Sequence, residues 1–204
     1  VCVFDTSYHQ TMDPTHYMYA IPYEDYEKYK VRRYGAHGTS HKFVAKEVAK
    51  LMDKPLEDLK IITCHLGNGA SVSAINGGKI VDTSMGFTPL EGLVMGTRTG
   101  DIDPAAVLFL MKQKGMSVEE TDDYLNKQSG LLGVSGLSND FRDIESAMDE
   151  GHERAQLAYD MFALRVKKYI GAYIAELNGF DAIAFTAGIG ENDDRIRASV
   201  CENM

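Results

Sequence analysis

The chain has 204 residues, of which 44% are hydrophobic and 25% are charged, and its formal net charge is -9. These values are typical of a globular protein with a substantial core, in one large domain or two small ones. The negative charge argues against nucleic acid or an anionic membrane as the main partner, and no apolar run reaches the ~20 residues that a bilayer requires. The three cysteines are odd in number and far apart, so we expect free thiols and a cytoplasmic location.

The first part of the chain predicts one strand followed by helices. Val1–Phe4 has the pattern of a strand, and Asp5 stands at its end, where active-site carboxylates often lie in open α/β sheets. A capping or turn role is an equally ordinary interpretation of such an aspartate. After a polar loop, helices are predicted from Tyr23 to Lys30 and from Lys42 to Met52. The second helix is expected to be capped by Thr39 and Ser40 and to have one apolar face, formed by Val44, Val48 and Leu51.

A glycine-rich turn between two strands is the most informative local pattern. Strand-like runs at Lys60–Leu66 and Ala70–Ile75 flank Gly67 and Gly69, and a third run follows at Lys79–Asp82. Glycines allow backbone amides to approach an anion closely, because no Cβ intervenes. A phosphate bound at a strand-to-strand turn is typical of the actin and sugar-kinase class of nucleotide enzymes. A simple hairpin with a buried histidine is the alternative interpretation.

The remainder of the chain predicts alternating loops, helices and one strand. Because loops as long as the glycine-rich segment Met85–Asp103 are usually functional in compact domains, we expect this segment to contribute to a site. The elements predicted after it are helices at 104–114, 117–128, 139–150 and 152–178, a glycine-rich turn at 129–138, a buried strand at 181–186, a turn at 187–192 and a last helix. This order predicts an α/β fold with a mixed sheet. The apolar stripe of the 152–178 helix is expected to be core or a subunit interface.

Three further glycine-containing loops hold polar residues that suit a ligand. Arg98 offers planar, permanently charged donors that match phosphate oxygens, although a surface ion pair is an alternative. His37 stands in a loop between Ala36 and Gly38, where solvation alone would also explain a histidine. The turn 187–192 suits close backbone approach to a ring or a phosphate, or simply tight packing. Asp140–Arg142 offers an aromatic face and an arginine at a helix start, and its alternative is an N-cap followed by a core phenylalanine.

Together these loops resemble the acetate kinase family. The resemblance rests on the following motifs, which occur in one order along essentially the whole chain: Phe4-Asp-Thr6, Arg33-Tyr-Gly-Ala-His-Gly-Thr-Ser-His41, Cys64-His-Leu-Gly-Asn-Gly-Ala-Ser71, Met95-Gly-Thr-Arg-Thr-Gly-Asp101, Asn139-Asp-Phe-Arg142 and Phe185-Thr-Ala-Gly-Ile-Gly-Glu-Asn192. The resemblance implies an α/β, ribonuclease-H-like (actin-like ATPase) domain with a mixed sheet flanked by helices. It also implies reversible, Mg²⁺-dependent phosphorylation of acetate by ATP.

The resemblance also implies roles for individual residues. His37 and Arg98 would stabilise the transferring phosphoryl group, and Asp5 would be the third catalytic residue, which we expect to position Mg²⁺ or its waters. The residues implied to bind ATP are His65, Leu66, Gly67, Asn68, Gly69, Asp140, Phe141, Arg142, Gly188, Ile189, Gly190, Glu191 and Asn192. Ala36 and Pro89 would line the substrate pocket. The main Mg²⁺ ligands would lie outside this chain.

The chain begins without methionine and in a predicted strand, so we expect a piece of a longer protein. The resemblance implies that residues 1–204 are the nucleotide-binding carboxy-terminal domain, with residues 1–6 near the interdomain hinge and with the amino-terminal domain and carboxy-terminal tail absent. The expected partners are ATP/ADP, acetate/acetyl phosphate and a second copy in a homodimer, with no turnover by this chain alone. Ala36 stands where many relatives carry phenylalanine, so propionate is an alternative substrate. A non-catalytic nucleotide-binding or dimerisation module is an alternative to the kinase function.

Overall fold

The computed structural model describes residues 2–204, and its centre is a four-stranded mixed sheet. The strands are β1 (Lys60–Leu66), β2 (Ala70–Asn76), β3 (Lys79–Thr83) and β4 (Ala182–Thr186). Their order across the sheet is β3-β2-β1-β4; the first three form an antiparallel meander, and β4 runs parallel to β1. The carboxyl ends of β1 and β4 therefore lie side by side. As a result, the loops that follow these two strands meet at one edge of the sheet.

Helices cover both faces of this sheet. Within residues 2–204 the α-helices are α1 (Pro14–Tyr17), α2 (Tyr23–Tyr29), α3 (Gly38–Leu51), α4 (Pro104–Lys114), α5 (Val118–Lys127), α6 (Gly130–Ser135), α7 (Phe141–Asp149), α8 (Glu153–Leu177), α9 (Ala187–Asn192) and α10 (Asp194–Cys201). Short 3-10 helices lie at Ser7–Thr11 and Leu56–Asp58. None of the described helices is long and apolar enough to cross a membrane.

Strand alternation divides the apolar residues between two core clusters. Even-numbered residues of β1, such as Ile62 and Cys64, pack with the buried stripe of α8, which includes Phe162 and Val166. Odd-numbered positions such as Ile61 face the other side, where the small residues of α3 cover them. Because of this period of two, the polar odd-numbered residues near the end of β1 point towards the first turn of α3. The stripe of α8 is thus core.

Several predicted elements agree closely with the structure. The hairpin strands, the long segment without regular secondary structure at 85–103 and the long helix α8 lie within one or two residues of their predicted bounds. Pro104 is the first residue of α4, and Ser117 with Glu120 forms a capping box at α5. Gly179 follows α8 with a φ of 98°. The glycine-rich turn predicted at 129–138 contains the short helix α6.

The prediction of a strand at the start of the chain is wrong for the residues that the structure describes. Residues 2–4 form no strand, Val3 and Phe4 are exposed, and Asp5 lies in a turn. A strand requires a hydrogen-bonded neighbour, and in the described part of the chain β3 packs instead against the 3-10 helix at Ser7–Thr11. Val1 lies outside the described residues.

Two further expectations need correction. The helix predicted from Lys42 begins at Gly38 and is not capped by the side chains of Thr39 and Ser40. It buries Ala45 and Ala49, which allow close approach to the sheet, whereas Leu51 is 87% exposed. The strand predicted as buried, β4, is only partly buried because it lies at the edge of the sheet.

Candidate functional site

The turn between β1 and β2 lies at the centre of the candidate site. Asn68 is exposed at its tip and accepts a hydrogen bond from Asn139 Nδ2 on its Oδ1 (3.0 Å) and one from the Gly96 backbone N–H on its main-chain oxygen (3.0 Å). A Cβ at position 96 would overlap Asn68 Oδ1, so a side chain there would displace the Asn68 amide. The turn is thereby joined to the long loop and to the residues that precede α7. Leu66, just before the turn, is fully buried and offers only its backbone.

Arg98 and His37 converge on Gly69. A Cβ built at Gly69 would lie 3.4 Å from Arg98 Nη1 and 3.8 Å from His37 Nε2, so both side chains face the open side of this glycine. Arg98 Nη1 also donates to the carbonyl oxygen of Pro89 at 3.3 Å, which brings the predicted pocket residue Pro89 to the same place. Because a guanidinium has five N–H groups, Arg98 retains donors for an anion. The spatial arrangement expected for Arg98 and His37 is therefore present.

The backbone of His37 is held in an unusual conformation. Its φ is 59°, in the left-handed region, and the Asp5 carboxylate accepts hydrogen bonds from the His37 N–H (2.5 Å) and the Thr39 N–H (3.5 Å). Asp5 thus accepts hydrogen bonds from free N–H groups at the start of α3, the capping role that was expected of Thr39 and Ser40. Such strain costs on the order of 1–3 kcal/mol and is concentrated at functional sites. Here it directs the imidazole over the glycine turn.

Three histidines, His37, His41 and His65, lie together beneath this turn. The rings of His37 and His65 stack with centroids 4.0 Å apart, and Ser40 Oγ lies 2.8 Å from His65 Nδ1. His41, fully buried, lies between Thr63 and the strand β2. Burial, together with neighbouring His65, lowers the pKa of His37 to about 4, while Asp5 acts in the opposite direction. His37 is therefore neutral at pH 7, and any hydrogen bond it donates comes from a single ring N–H.

A cavity of about 770 Å³ opens beside the glycine turn. Its lining joins three segments: the turn after β1, the start of α7 and the start of α9. The lining residues are Gly67, Asn68, Asn139, Asp140, Phe141, Arg142, Glu145, Asp149, Gly188, Ile189, Asn192, Asp193, Asp194 and Arg195. This volume is in the range of small-molecule sites.

The start of α7 forms one wall of the cavity. Asp140 caps the helix by accepting from the Arg142 N–H (3.0 Å) and also binds the Arg142 guanidinium, with Nη2 at 2.6 Å. These hydrogen bonds lower the pKa of Asp140 to about 2. Phe141 lines the cavity but is 5% exposed, and its ring packs against Phe162 at 5.1 Å. The N-cap and core interpretation of this segment therefore holds for Asp140 and Phe141.

The opposite wall is the strand-to-helix turn after β4. Ala187 has a φ of 65° and begins the short helix α9, a second left-handed residue at the edge of the site. Gly188, Ile189 and Asn192, three of the residues that the resemblance implies for ATP binding, line the cavity. Gly190 is instead buried, and a Cβ built there would lie 3.5 Å from Leu66 Cβ. This is an ordinary contact distance, so α9 packs on β1 here without depending on a glycine. The carbonyl oxygen of Glu191 accepts a hydrogen bond from Arg197.

Two residues near the site have mainly structural contacts. Ala36, predicted to line the acyl pocket, is partly buried against the main core cluster. The Arg33 guanidinium donates to the carbonyl oxygens of Thr83 (2.8 Å), Ser84 (3.2 Å) and Met85 (3.2 Å) and to Glu91 (2.7 Å). Arg33 therefore fixes the start of the long loop that carries Arg98.

Sequence reasoning missed part of the cavity lining. Glu145 and Asp149 follow Phe141 at intervals of four on α7, so all three lie on one helical face, and this spacing is a signal that could have found them. Asp193 lies between α9 and α10, and Asp194 and Arg195 are the first residues of α10; none of the three carries a comparable signal. They enter the site only because β4 runs parallel to β1.

Comparison with known proteins gives one consistent family. A model of the acetokinase family matches residues 1–204. The acetate kinases of Halothermothrix orenii and Alkaliphilus metalliredigens are 64% and 62% identical over all 204 residues, which make up 51% and 52% of those proteins. This chain thus spans about half the length of the curated relatives it matches.

Solved structures give the same result. The crystal structure of Porphyromonas gingivalis acetate kinase superposes with a TM-score of 0.98 at 49% identity, over 99% of this chain and 51% of that one. A propionate kinase from Francisella tularensis gives 0.93 at 48% identity, over 97% and 51%. The predicted fold class, an α/β domain of the actin-like ATPase type, is confirmed. Because the family model matches every residue, the chain belongs to the acetokinase family.

Proposed function

We propose that residues 1–204 are the nucleotide-binding carboxy-terminal domain, with residues 1–6 near the hinge, of a kinase that transfers the γ-phosphoryl group of ATP reversibly to acetate, giving ADP and acetyl phosphate. The observation that carries the proposal is the convergence of Arg98 and His37 on Gly69, next to the cavity that begins at Gly67. The kinase names of close relatives support the same reaction class.

The charge distribution of the cavity sets the direction of the nucleotide. Its outer part carries the carboxylates of Glu145, Asp149, Asp193 and Asp194, with Arg195 bound to Asp149 at 2.9 Å. A triphosphate would be repelled there, whereas an uncharged adenosine would not. We therefore place the adenosine between α7 and α9 and the phosphates along the turn Gly67–Gly69, which leads to Arg98.

The residues at this turn suit phosphoryl transfer. As the γ-phosphoryl spreads its charge over three equatorial oxygens, catalysis requires mainly positioning and neutralisation. The Arg98 guanidinium supplies charge and the neutral His37 ring supplies one N–H. Acetate is already ionised near neutral pH, so no general base is needed. Ala36 directly precedes His37 in sequence, and the carbonyl oxygen of Pro89 accepts from Arg98, so we assign both residues to the acceptor pocket.

Mg²⁺ would be held with help from Asp5 through water, neutralising charge on the phosphates. Both carboxylate oxygens of Asp5 accept backbone N–H groups, and each keeps a lone pair for a metal-bound water. Within residues 2–204, no group of three His, Cys, Asp or Glu side chains is arranged for a metal.

The direct test is hydroxamate detection of acetyl phosphate with full-length protein. We expect Arg98→Ala and His37→Ala to lower kcat by roughly 10²–10³, the usual cost of removing one donor to developing negative charge. Arg154→Ala is the matched control, since Arg154 also binds a backbone carbonyl (Val134 O, 2.7 Å) but lies apart from the cavity lining. Equal losses in all three variants, or full activity of Arg98→Ala, would refute the assignment.

The same assay on residues 1–204 alone tests the domain proposal. We expect no turnover, since this chain corresponds to about half of each relative. ATP binding without turnover in the full-length protein would instead support a non-catalytic nucleotide-binding module.

Propionate is a second candidate acceptor. The methyl side chain of Ala36 leaves more space than a phenylalanine would. The propionate kinase of Francisella tularensis is 48% identical to this chain, and the acetate kinase of Porphyromonas gingivalis is 49% identical. Kinetics with both acids decide between them, and Ala36→Phe should disfavour propionate selectively.

We also propose that the protein is a homodimer. The buried stripe of α8 is not available for this, but Leu157, Met161 and Leu164 form an exposed apolar stripe on the same helix. Light scattering would detect the dimer, and a monomer at all concentrations would exclude it.

A further inference from the structure

We propose that Ser71 is a positioning residue that holds the imidazole of His37 in the form carrying its proton on Nε2. This inference rests on the proposed function, because it concerns the donor that His37 offers to the phosphoryl group. Ser71 lies on β2 and is fully buried. Its Oγ lies 2.8 Å from His37 Nδ1 and 2.8 Å from His41 Nε2, so one hydroxyl joins two rings.

The fold brings these groups together by simple register. Ser71 stands opposite His65 in the β1–β2 ladder, on the sheet face that α3 covers. His37 and His41 are separated by four residues at the start of α3, so both rings descend on the same side towards that face. Thr63, two residues before His65 on the same face, completes the set: its Oγ1 lies 2.7 Å from His41 Nδ1.

The number of protons on these groups determines which group donates and which accepts in each hydrogen bond. Burial keeps the pKa of His41 well below its usual value, so its ring is neutral and has one N–H. In one arrangement Thr63 donates to His41 Nδ1, His41 Nε2–H donates to Ser71, and Ser71 donates to His37 Nδ1. In the other arrangement every donor and acceptor is reversed.

Only the first arrangement satisfies all the groups. In the reversed one, the Thr63 hydroxyl accepts from His41 and must place its own proton elsewhere. Thr63 is fully buried, and within residues 2–204 its hydroxyl contacts no hydrogen-bond partner other than His41. A buried donor without an acceptor is unfavourable, so the first arrangement prevails.

The preferred direction determines what His37 presents at Gly69. When Ser71 donates to Nδ1, the neutral ring carries its proton on Nε2, the atom that faces Gly69 and Arg98. Phosphoryl oxygens only accept hydrogen bonds. The reversed direction would present a lone pair to them and repel the substrate. The hydroxyl of Ser71 thus converts a histidine into a donor without charging it.

The test uses nitrogen-15 NMR of histidine-labelled full-length protein, with His37 assigned by comparison with His37→Gln. In wild type we expect His37 to have a protonated Nε2 and a bare Nδ1. Ser71→Ala should give a mixture of the two tautomers and lower kcat roughly 10- to 100-fold, with the KM for ATP changed less; this is the size of effect found for groups that orient a metal-binding histidine. Should Ser71→Ala fail to fold, Thr63→Val removes the first donor of the chain and predicts the same mixture.

Ser73→Ala is the matched control. Ser73 lies on the same strand and is fully buried, and its hydroxyl bonds Thr83 at 2.8 Å. It should leave the His37 spectrum unchanged. Retention of the wild-type tautomer in Ser71→Ala, or the same change in Ser73→Ala, would overturn the inference. Absence of kinase activity in wild type would refute the proposed function, whereas the NMR result tests tautomer control by itself.

Discussion

His9 makes the stability of this protein sensitive to acid in a way that can be calculated. The ring is fully buried, 6.1 Å from the ring of His41, and is enclosed by Gly35 and Gly38. Within residues 2–204, neither of its nitrogens has a hydrogen-bond partner. Burial lowers the pKa of His9 to about 4, with Asp5 opposing the shift and His37 adding to it.

The sign and size follow from proton linkage. Above pH 6.5 His9 is neutral in both the folded and the unfolded chain. Between pH 6.5 and about 4 the unfolded chain binds the proton first, so stability falls as the pH falls. Each pKa unit corresponds to about 1.4 kcal/mol, which gives a loss of about 2 kcal/mol at pH 5 and about 3 kcal/mol below pH 4.

Replacing His9 with phenylalanine removes this term and leaves a ring of similar shape. The measurement is the free energy of unfolding from urea titrations at pH 7.5 and pH 5, for wild type and His9→Phe. Taking the difference between the two pH values within each protein removes the effect of repacking. We expect the variant to lose about 2 kcal/mol less than wild type over this interval. Equal losses in the two proteins would show that His9 is charged when folded, contrary to its burial.

Three further outcomes follow from local contacts. Gly38→Ala would place a Cβ against a backbone carbonyl oxygen and should lower the free energy of unfolding by ~1–3 kcal/mol. Gly171→Ala, in an open helix position, should raise it by up to ~1 kcal/mol. Thermal melts of both variants compare them directly. Burial raises the pKa of the Cys64 thiol, so we expect exposed Cys2 to react with a thiol reagent in the native state and Cys64 only after unfolding; rapid native labelling of Cys64 would contradict its burial. Ser117→Ala removes one half of a capping box and should cost ~1 kcal/mol, and an unchanged melting temperature would show that α5 does not need this cap.

Local chemistry made much of the fold predictable from sequence. The hairpin needs only alternation and a glycine turn, and the capping box of α5 is complete within four residues. The start of α3 was not predictable in this way, because its N–H groups are bound by a carboxylate more than thirty residues earlier. No local pattern near Thr39 reveals that contact.

The site was predictable to the extent that each loop carries its own motif. Gly69, Arg98 and His37 were each singled out, but their meeting depends on how the long loop folds back over the hairpin. The links among Ser71, His41 and Thr63 required the strand register, which periodicity alone does not provide. Phe141 shows the converse case, in which a residue in a ligand motif is mainly core.

The inward-facing arginine of the Arg32–Arg33 pair has a consequence for the segment that carries Arg98. A stretch without regular secondary structure usually has many available paths, and this one begins where three successive carbonyls of residues 83–85 gather on a single planar cation. Arg33 therefore fixes the path of this segment at its start, ahead of the part that carries Arg98. The two arginines thus have different contacts: Arg33 binds backbone carbonyl oxygens, and Arg98 lies beside Gly69.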